Sequence, residues 1–195
     1  MKIGVDIDDT LLDFIGTYAI FHNEIYKTNL KKEDFKTYSF NPVGGRTTKQ
    51  AVNTVKQFYK TDFFKEMQPF PGAVGVLQKL KENNKLFIVT SRPHNMKEET
   101  SEWVLKYFPN IFSDIFFSSN HYTKAKNSGR TKAEICCDLE VSLLIDDSLA
   151  YAKQCIEKGI NVFLFGDNNP WNQNHEEHEN ITRVKDWNEI MEKLK

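Results

Sequence analysis

Asp6-Ile7-Asp8-Asp9-Thr10 directly follows the apolar run Ile3-Gly4-Val5, so two carboxylates stand two residues apart at the C-terminal end of the first strand that the sequence predicts. Residues i and i+2 of a strand share a face, and the C-terminal edge of an open α/β sheet is where ligands sit. Two like charges about 4 Å apart cost on the order of 4 kcal/mol at an effective dielectric of about 20. A bound cation, a raised pKa or both must relieve that cost. Taken alone, Asp8, Asp9 and Thr10 also suit a turn and a helix N-cap.

Three further stretches carry groups that a phosphate-handling site needs. Ile88-Val89-Thr90-Ser91-Arg92 sets two hydroxyls and free backbone N–H groups at a strand-to-helix turn, where a phosphate can be held. Leu144-Ile145-Asp146-Asp147-Ser148 repeats the opening theme of a strand running into paired carboxylates. Arg130-Thr131-Lys132 stands shortly before it, and a lysine at that helix start can neutralise a phosphate and one of the acids.

The elements that must position these groups follow from periodicity. Leu11 to Tyr26 gives a helical apolar stripe, and residues 27–69 are polar and aromatic without a strand pattern. Pro71-Gly72 opens a helix. Strands at 85–90, 115–117, 142–145 and 161–165 then alternate with helices at about 97–107, 132–139 and 148–158, and a last helix starts at Asp186. Residues 167–180 read as a solvated loop. Strand-helix alternation means an α/β fold, a doubly wound, Rossmann-like parallel sheet, with a small helical cap inserted after the first strand. The predicted boundaries are 1–14 and 70–195 for the core and 15–69 for the cap. Parallel topology brings every strand C-terminus to one edge. Three or four carboxylates beside a phosphate then demand a hard, oxygen-liganded cation, Mg²⁺, with Lys132 as a second counter-charge.

Composition excludes other classes. The 195-residue chain carries 26 Lys+Arg against 27 Asp+Glu, net charge −1, so no global field attracts a nucleic-acid polymer or an anionic membrane. Three cysteines, an odd number including adjacent Cys136-Cys137, suit a reduced cytoplasmic protein. No apolar run approaches a membrane span and no secretory leader is apparent, so a soluble, unprocessed protein is expected.

Together the Asp6–Thr10 stretch, Thr90-Ser91, Lys132 and Asp146-Asp147 resemble the four motifs of the haloacid dehalogenase superfamily of phosphohydrolases. More narrowly, Asp13-Phe14, Asp62-Phe63-Phe64, Pro69 to Val74, Phe87 to Ser91, Glu102-Trp103-Val104, Lys106-Tyr107-Phe108 and Asp186 to Ile190 resemble the 5′(3′)-deoxyribonucleotidases. The resemblance implies Asp6 as nucleophile forming an aspartyl-phosphate and Asp8 as general acid and then base. It implies Mg²⁺ held by Asp6, the carbonyl of Asp8, and Asp146 or Asp147, with Thr90, Ser91 and Lys132 on the phosphoryl oxygens. Phe14 matches the family's substrate-facing phenylalanine, and Tyr38 and Phe40 stand where relatives use cap aromatics, often tryptophan, to stack on a base. The family often has Gly-Val in place of Asp9-Thr10. The stretch from Ser118 to Thr131 is longer than in the family, so Lys124 and Lys126 compete with Lys132.

The implied activity is a phosphomonoesterase of nucleoside monophosphates, with room for a homodimer. The same chemistry on a sugar phosphate and a catalytically silent phosphate-binding protein are the alternatives; a kinase lacks its Gly-rich loop. Several residues read as structural: Trp171 and Trp187 as packing, Arg92 and His94 as a solvated helix start, and His175-Glu176-Glu177-His178 as a polar loop without zinc-motif spacing. Cys136 and Cys137 have no evident base and read as ordinary thiols.

Overall fold

The computed structural model describes residues 1–37, 47–119, 129–173 and 177–194. Among the described residues six strands form one sheet: β1 (Lys2–Val5), β2 (Lys85–Thr90), β3 (Ile115–Phe117), β4 (Leu143–Asp146), β5 (Asn161–Phe165) and β6 (Ile181–Val184). Their order is β3-β2-β1-β4-β5-β6, and every neighbouring pair is parallel. The central strands are buried on both faces, which is why they read as unbroken apolar runs. After β3 the chain crosses back to lay β4 on the free side of β1. The switch in winding direction therefore falls between β1 and β4, where such sheets open a crevice.

The helices are α1 (Phe14–Tyr26), α2 (Thr48–Phe58), α3 (Asp62–Lys65), α4 (Ala73–Asn83), α5 (Lys97–Tyr107), α6 (Lys132–Asp138), α7 (Leu149–Ile156) and α8 (Trp187–Lys193). One apolar cluster joins Ile3, Val5, Ile88 and Ile145 to α1, α4, α5 and α8. The other joins Val89, Leu144 and Val162 to α6 and α7. Alternation along each strand sorts residues between these faces.

The chain leaves the sheet at Leu12 and returns at Pro69, which pair in an antiparallel bridge, and Phe70 N–H donates to the Leu11 carbonyl at 2.7 Å. Between those points the described residues form α1, a short 3₁₀ turn at Lys32–Asp34, α2 and α3. Rings hold this helical insertion together: Phe58 sits 5.3 Å from Phe14, 5.5 Å from Tyr18 and 5.3 Å from Phe21. A capping box between Thr47 and Gln50 starts α2.

Two expectations need correction. Ile181–Val184 is a sixth strand paired to β5, which the sequence reading leaves unassigned. It is only four residues long, and its buried positions, Ile181 and Val184, do not alternate. The stretch from Asp167 is also not uniformly solvated. Asn169 and Asn172 are buried, and Pro170–Asn172 forms a 3₁₀ turn folded onto the sheet edge.

Trp187, fully buried on α8, donates from Nε1 to the carbonyl of Thr10 at 3.0 Å, so an element near the end of the chain braces the turn after β1. Trp187→Phe removes that donor and strands a buried carbonyl, which should lower unfolding stability by about 1–3 kcal/mol. Urea unfolding checks this, and an unchanged midpoint would mean the bond is not needed.

Candidate active site

Val5 pairs with Ile145 across β1 and β4, and Asp6 and Asp146 each stand one residue further on. Their side chains therefore leave neighbouring strands at the same level, at the switch point. Asp6 N–H donates to the Ile145 carbonyl at 2.9 Å, extending the ladder by one residue beyond β1. Between the two acids lies Lys132, the first residue of α6, whose start is fixed by a capping box of Thr131 and Glu134. Lys132 Nζ is 2.8 Å from Asp6 Oδ1 and 2.6 Å from Asp146 Oδ2, and it lies 4.4 Å from the centroid of the Tyr151 ring. Lys132, Asp146 and Asp147 are fully buried and Asp6 is 7 % exposed.

Asp146 is doubly satisfied, since its Oδ1 also accepts the Ser148 N–H at 2.8 Å. Asp147 Oδ1 accepts a long bond from Thr10 Oγ1 at 3.4 Å, and its Oδ2 accepts from Trp171 Nε1 at 3.1 Å. Asp6, Asp146 and Asp147 each offer an oxygen within 4.8 Å of the others. Three carboxylates thus face one ammonium in a buried space. Burial, reinforced by Asp146 and Asp8 and opposed by Lys132, pushes Asp6 up to about 7. Burial alone would lower Lys132, but Asp146 and Asp6 outweigh it and hold the ammonium well above its ordinary range.

Asp8 points elsewhere. Its carboxylate is gripped by Arg92, with Nε at 3.0 Å from Oδ2 and the terminal nitrogen at 2.6 Å from Oδ1, a two-pronged, charge-assisted pair. Arg92 is 3 % exposed, lies 5.0 Å from the centroid of the Phe64 ring and donates to Thr100 Oγ1 at 3.4 Å. It is therefore no solvated helix start. Burial would lower its pKa, and Asp8 more than reverses this. Tyr59, at the end of α2, feels both groups: burial and the charge of Asp8 raise its phenol, and its ring contacts those of Phe14 and Phe64.

The turn from Ile7 to Leu12, which carries Asp8 and Asp9, is tight. Thr10, Leu11 and Leu12 all donate to the Ile7 carbonyl, and Asp9 takes a left-handed φ of 55°. Asp9 Oδ1 accepts the Ile15 N–H at 3.2 Å and faces Lys32 Nζ at 3.5 Å. Burial raises Asp9 to about 8 against the pull of Lys32. Asp9 is thus a structural pivot at the start of α1, as its turn reading implies.

At the end of β2, Thr90 is fully buried and its Oγ1 accepts the Arg92 N–H at 3.2 Å, while Ser91 Oγ lies 2.8 Å from Ser118 Oγ. Both hydroxyls stand on the predicted edge. Phe14 is 5 % exposed and packs in the aromatic cluster, whereas Tyr38, Phe40, Lys124, Lys126, His175 and Glu176 lie outside the described residues. His178 is exposed and its Nδ1 accepts the Asn180 N–H. Cys136 and Cys155 are buried, and a hydrogen bond to Cys155 together with burial pushes the Cys136 thiol up, away from nucleophilic use.

Sequence reasoning missed Arg92, Trp171 and Asn172 as site residues. Arg92 could have been suspected from its place directly after Thr90-Ser91. The other two carry no local signal, because what they touch is Asp147, more than twenty positions earlier.

Residues 1–194 match the family described as 5′ nucleotidase, deoxy (pyrimidine), cytosolic type C protein. The chain belongs to this family. A provisionally named nucleotidase of Bacillus cereus is 29 % identical over 100 % of this chain and 98 % of its own length. A 5′(3′)-deoxyribonucleotidase of Clostridium acetobutylicum is 28 % identical over 60 % of this chain and 65 % of its own. Among solved structures, a haloacid dehalogenase-like hydrolase from Streptococcus pneumoniae superposes with a TM-score of 0.70 at 16 % identity, covering 100 % of this chain and 98 % of that one. A provisionally assigned HAD-hydrolase of Bacillus subtilis, solved bound to magnesium, superposes at 0.62 with 19 % identity, covering 99 % of this chain and 97 % of that one. This member of the cytosolic-type deoxynucleotidase family is accordingly a phosphoric monoester hydrolase on the haloacid dehalogenase fold. Among the described residues no helix is long and apolar enough to cross a membrane.

Arg92→Met leaves Asp8 unanchored. Because a misplacement of about 1 Å can cost about 10²-fold in rate, phosphate release should fall by roughly that factor while the far-ultraviolet spectrum stays that of the parent. Wild-type turnover in Arg92→Met would show that the clamp does not position Asp8.

Proposed function

We propose that this nucleotidase is a Mg²⁺-dependent 5′(3′)-deoxyribonucleotidase that hydrolyses (deoxy)nucleoside monophosphates through an aspartyl-phosphate on Asp6. The observation that carries the reading is the division of labour between the two acids of the first motif. Asp6 is held among Lys132, Asp146 and Asp147, and Asp8 is held apart by Arg92.

The donor set fits Mg²⁺. It is all oxygen, it is buried, and three carboxylates stand beside the ammonium of Lys132. Asp6, Asp147 and the carbonyl of Asp8 would hold the ion, while Asp146, whose oxygens already serve Lys132 and the Ser148 amide, would support it. Held by these residues, the cation would screen the incoming dianion and polarise the phosphoryl group.

The chain's own residues then divide the work. Asp6 attacks phosphorus in line, forming its acyl-phosphate bond as the ester P–O bond breaks, and Asp8 gives its proton to the departing sugar oxygen. Asp8, now anionic, takes a proton from water as that water attacks the phosphorus, releasing inorganic phosphate and regenerating Asp6. Arg92 fixes the position of Asp8 through both steps. Thr90, Ser91 and Lys132 serve the phosphoryl oxygens, with Lys132 also keeping Asp6 and Asp146 from repelling each other. Phe14 and Tyr59, on the insertion side of Asp8, would meet the leaving nucleoside, with Tyr38 and Phe40 as further aromatic contacts.

Two assays test this. Phosphate release from a panel of deoxyribonucleoside 5′- and 3′-monophosphates, ribonucleotides and sugar phosphates, with and without chelator, should be fastest on deoxyribonucleotides and stop on chelation. Preference for a sugar phosphate would move the substrate assignment while leaving the chemistry. Asp6→Asn should abolish turnover and Asp8→Asn should reduce it by about 10²-fold or more; substantial Mg²⁺-dependent activity in Asp6→Asn would sink the covalent mechanism.

A further inference from the structure

The turn Pro170–Asn172 lies between β5 and β6, outside all four motif positions, yet it is built onto one acid of the site. Trp171 Nε1 sits 3.1 Å from Asp147 Oδ2 and 3.2 Å from the Asp147 carbonyl, and Asn172 Nδ2 donates to that same carbonyl at 2.6 Å. The side chain and the backbone of Asp147 are thus pinned from one turn. Asn172 is itself locked: it is 1 % exposed, its N–H is bonded to the Asn169 carbonyl at 3.0 Å, and its own carbonyl accepts from Arg183 of β6 at 2.6 Å. Among the described residues its buried Oδ1 has no hydrogen-bond partner, so the amide is oriented for Asp147 and not for its own full satisfaction. On the outer side, Lys32 Nζ lies 5.4 Å from the Trp171 ring centroid while also facing Asp13 at 3.2 Å and Asp9 at 3.5 Å. Cation–π contact of this kind restrains a half-buried indole.

We propose that Trp171 and Asn172 form a positioning turn for Asp147, fixing its carboxylate for a divalent cation and thereby setting the affinity of the site. The proposal rests on the reading above that Asp147 faces Mg²⁺. Outer partners that orient a ligand are worth about 10- to 100-fold in metal affinity. Trp171 is a positioning residue, since its indole N–H meets Asp147 and need not touch substrate. Of the three tryptophans in the chain, Trp103 donates instead to the Met67 carbonyl at 2.8 Å, which makes W103F the control.

Mg²⁺ alone, titrated into the full chain by calorimetry and followed in parallel by tryptophan emission, tests this without turnover. Wild type and W103F should bind with similar affinity, and their emission should change over the same concentration range as the heat. W171F should bind about tenfold or more weakly and lose most of the emission change. Equal Mg²⁺ affinity in W171F and wild type overturns the positioning role and leaves the metal reading standing. No binding by the wild type overturns the metal reading, and this proposal with it. Should W171F not fold, the wild-type pair of titrations decides: emission that stays flat while calorimetry reaches saturation overturns the proposal.

Discussion

One buried ammonium organises this molecule. Lys132 sits between Asp6 and Asp146 with no exposed surface of its own, and its ammonium contacts both acids. Removing one partner of a buried ion pair costs about 3–5 kcal/mol because the survivor keeps its charge without compensation. Here a single cation serves two strands and a helix at once. The capped start of α6, the parallel register of β1 with β4 and the crossover that places them side by side all converge on that point. Even so the balance is incomplete: three carboxylates share the site with one lysine, and burial, reinforced by Asp146 and Asp8, holds Asp6 up at about 7 against the pull of Lys132.

Around that centre, separate devices keep separate acids apart. Asp8 is two residues from Asp6 but is held by Arg92, which leans on Phe64 of the helical insertion and on Thr100 of α5. Asp9 is turned away into the start of α1 and held by Ile15 and Lys32. Asp147 is held from the far side by Trp171 and Asn172. Of the five carboxylates in the two acidic stretches, Asp6 and Asp146 share Lys132 while Asp8, Asp9 and Asp147 each have their own neighbours, and environment, more than identity, separates their roles.

How much of this was legible beforehand depends on the distance over which each residue acts. The sheet, its parallel sense and the convergence of Asp6, Thr90, Lys132 and Asp146 followed from apolar strands ending in polar residues, because parallel topology does the assembling. The capping pattern Thr131-Lys132-Ala133-Glu134 placed Lys132 at a helix start, where the structure has it. Arg92 reads as solvated because arginine after a strand usually is, and only the fold reveals Asp8 opposite it. Trp171 reads as packing for the same reason. Strand β6 escaped because a four-residue edge strand is held by its neighbour β5 and not by a pattern of its own. Phe14 resembles a substrate contact by motif, whereas its 5 % exposure shows how far it also serves the aromatic core.

The central claim is that Asp6 takes the phosphoryl group onto itself. Acid quench during turnover of a deoxyribonucleoside monophosphate labelled in its phosphate, followed by proteolysis and mass spectrometry, examines that step directly. A phosphorylated peptide containing Asp6 is expected, cleaved by hydroxylamine as an acyl-phosphate is and lost in Asp6→Asn. Steady turnover with no label on that peptide, or label carried elsewhere on the chain, would contradict it.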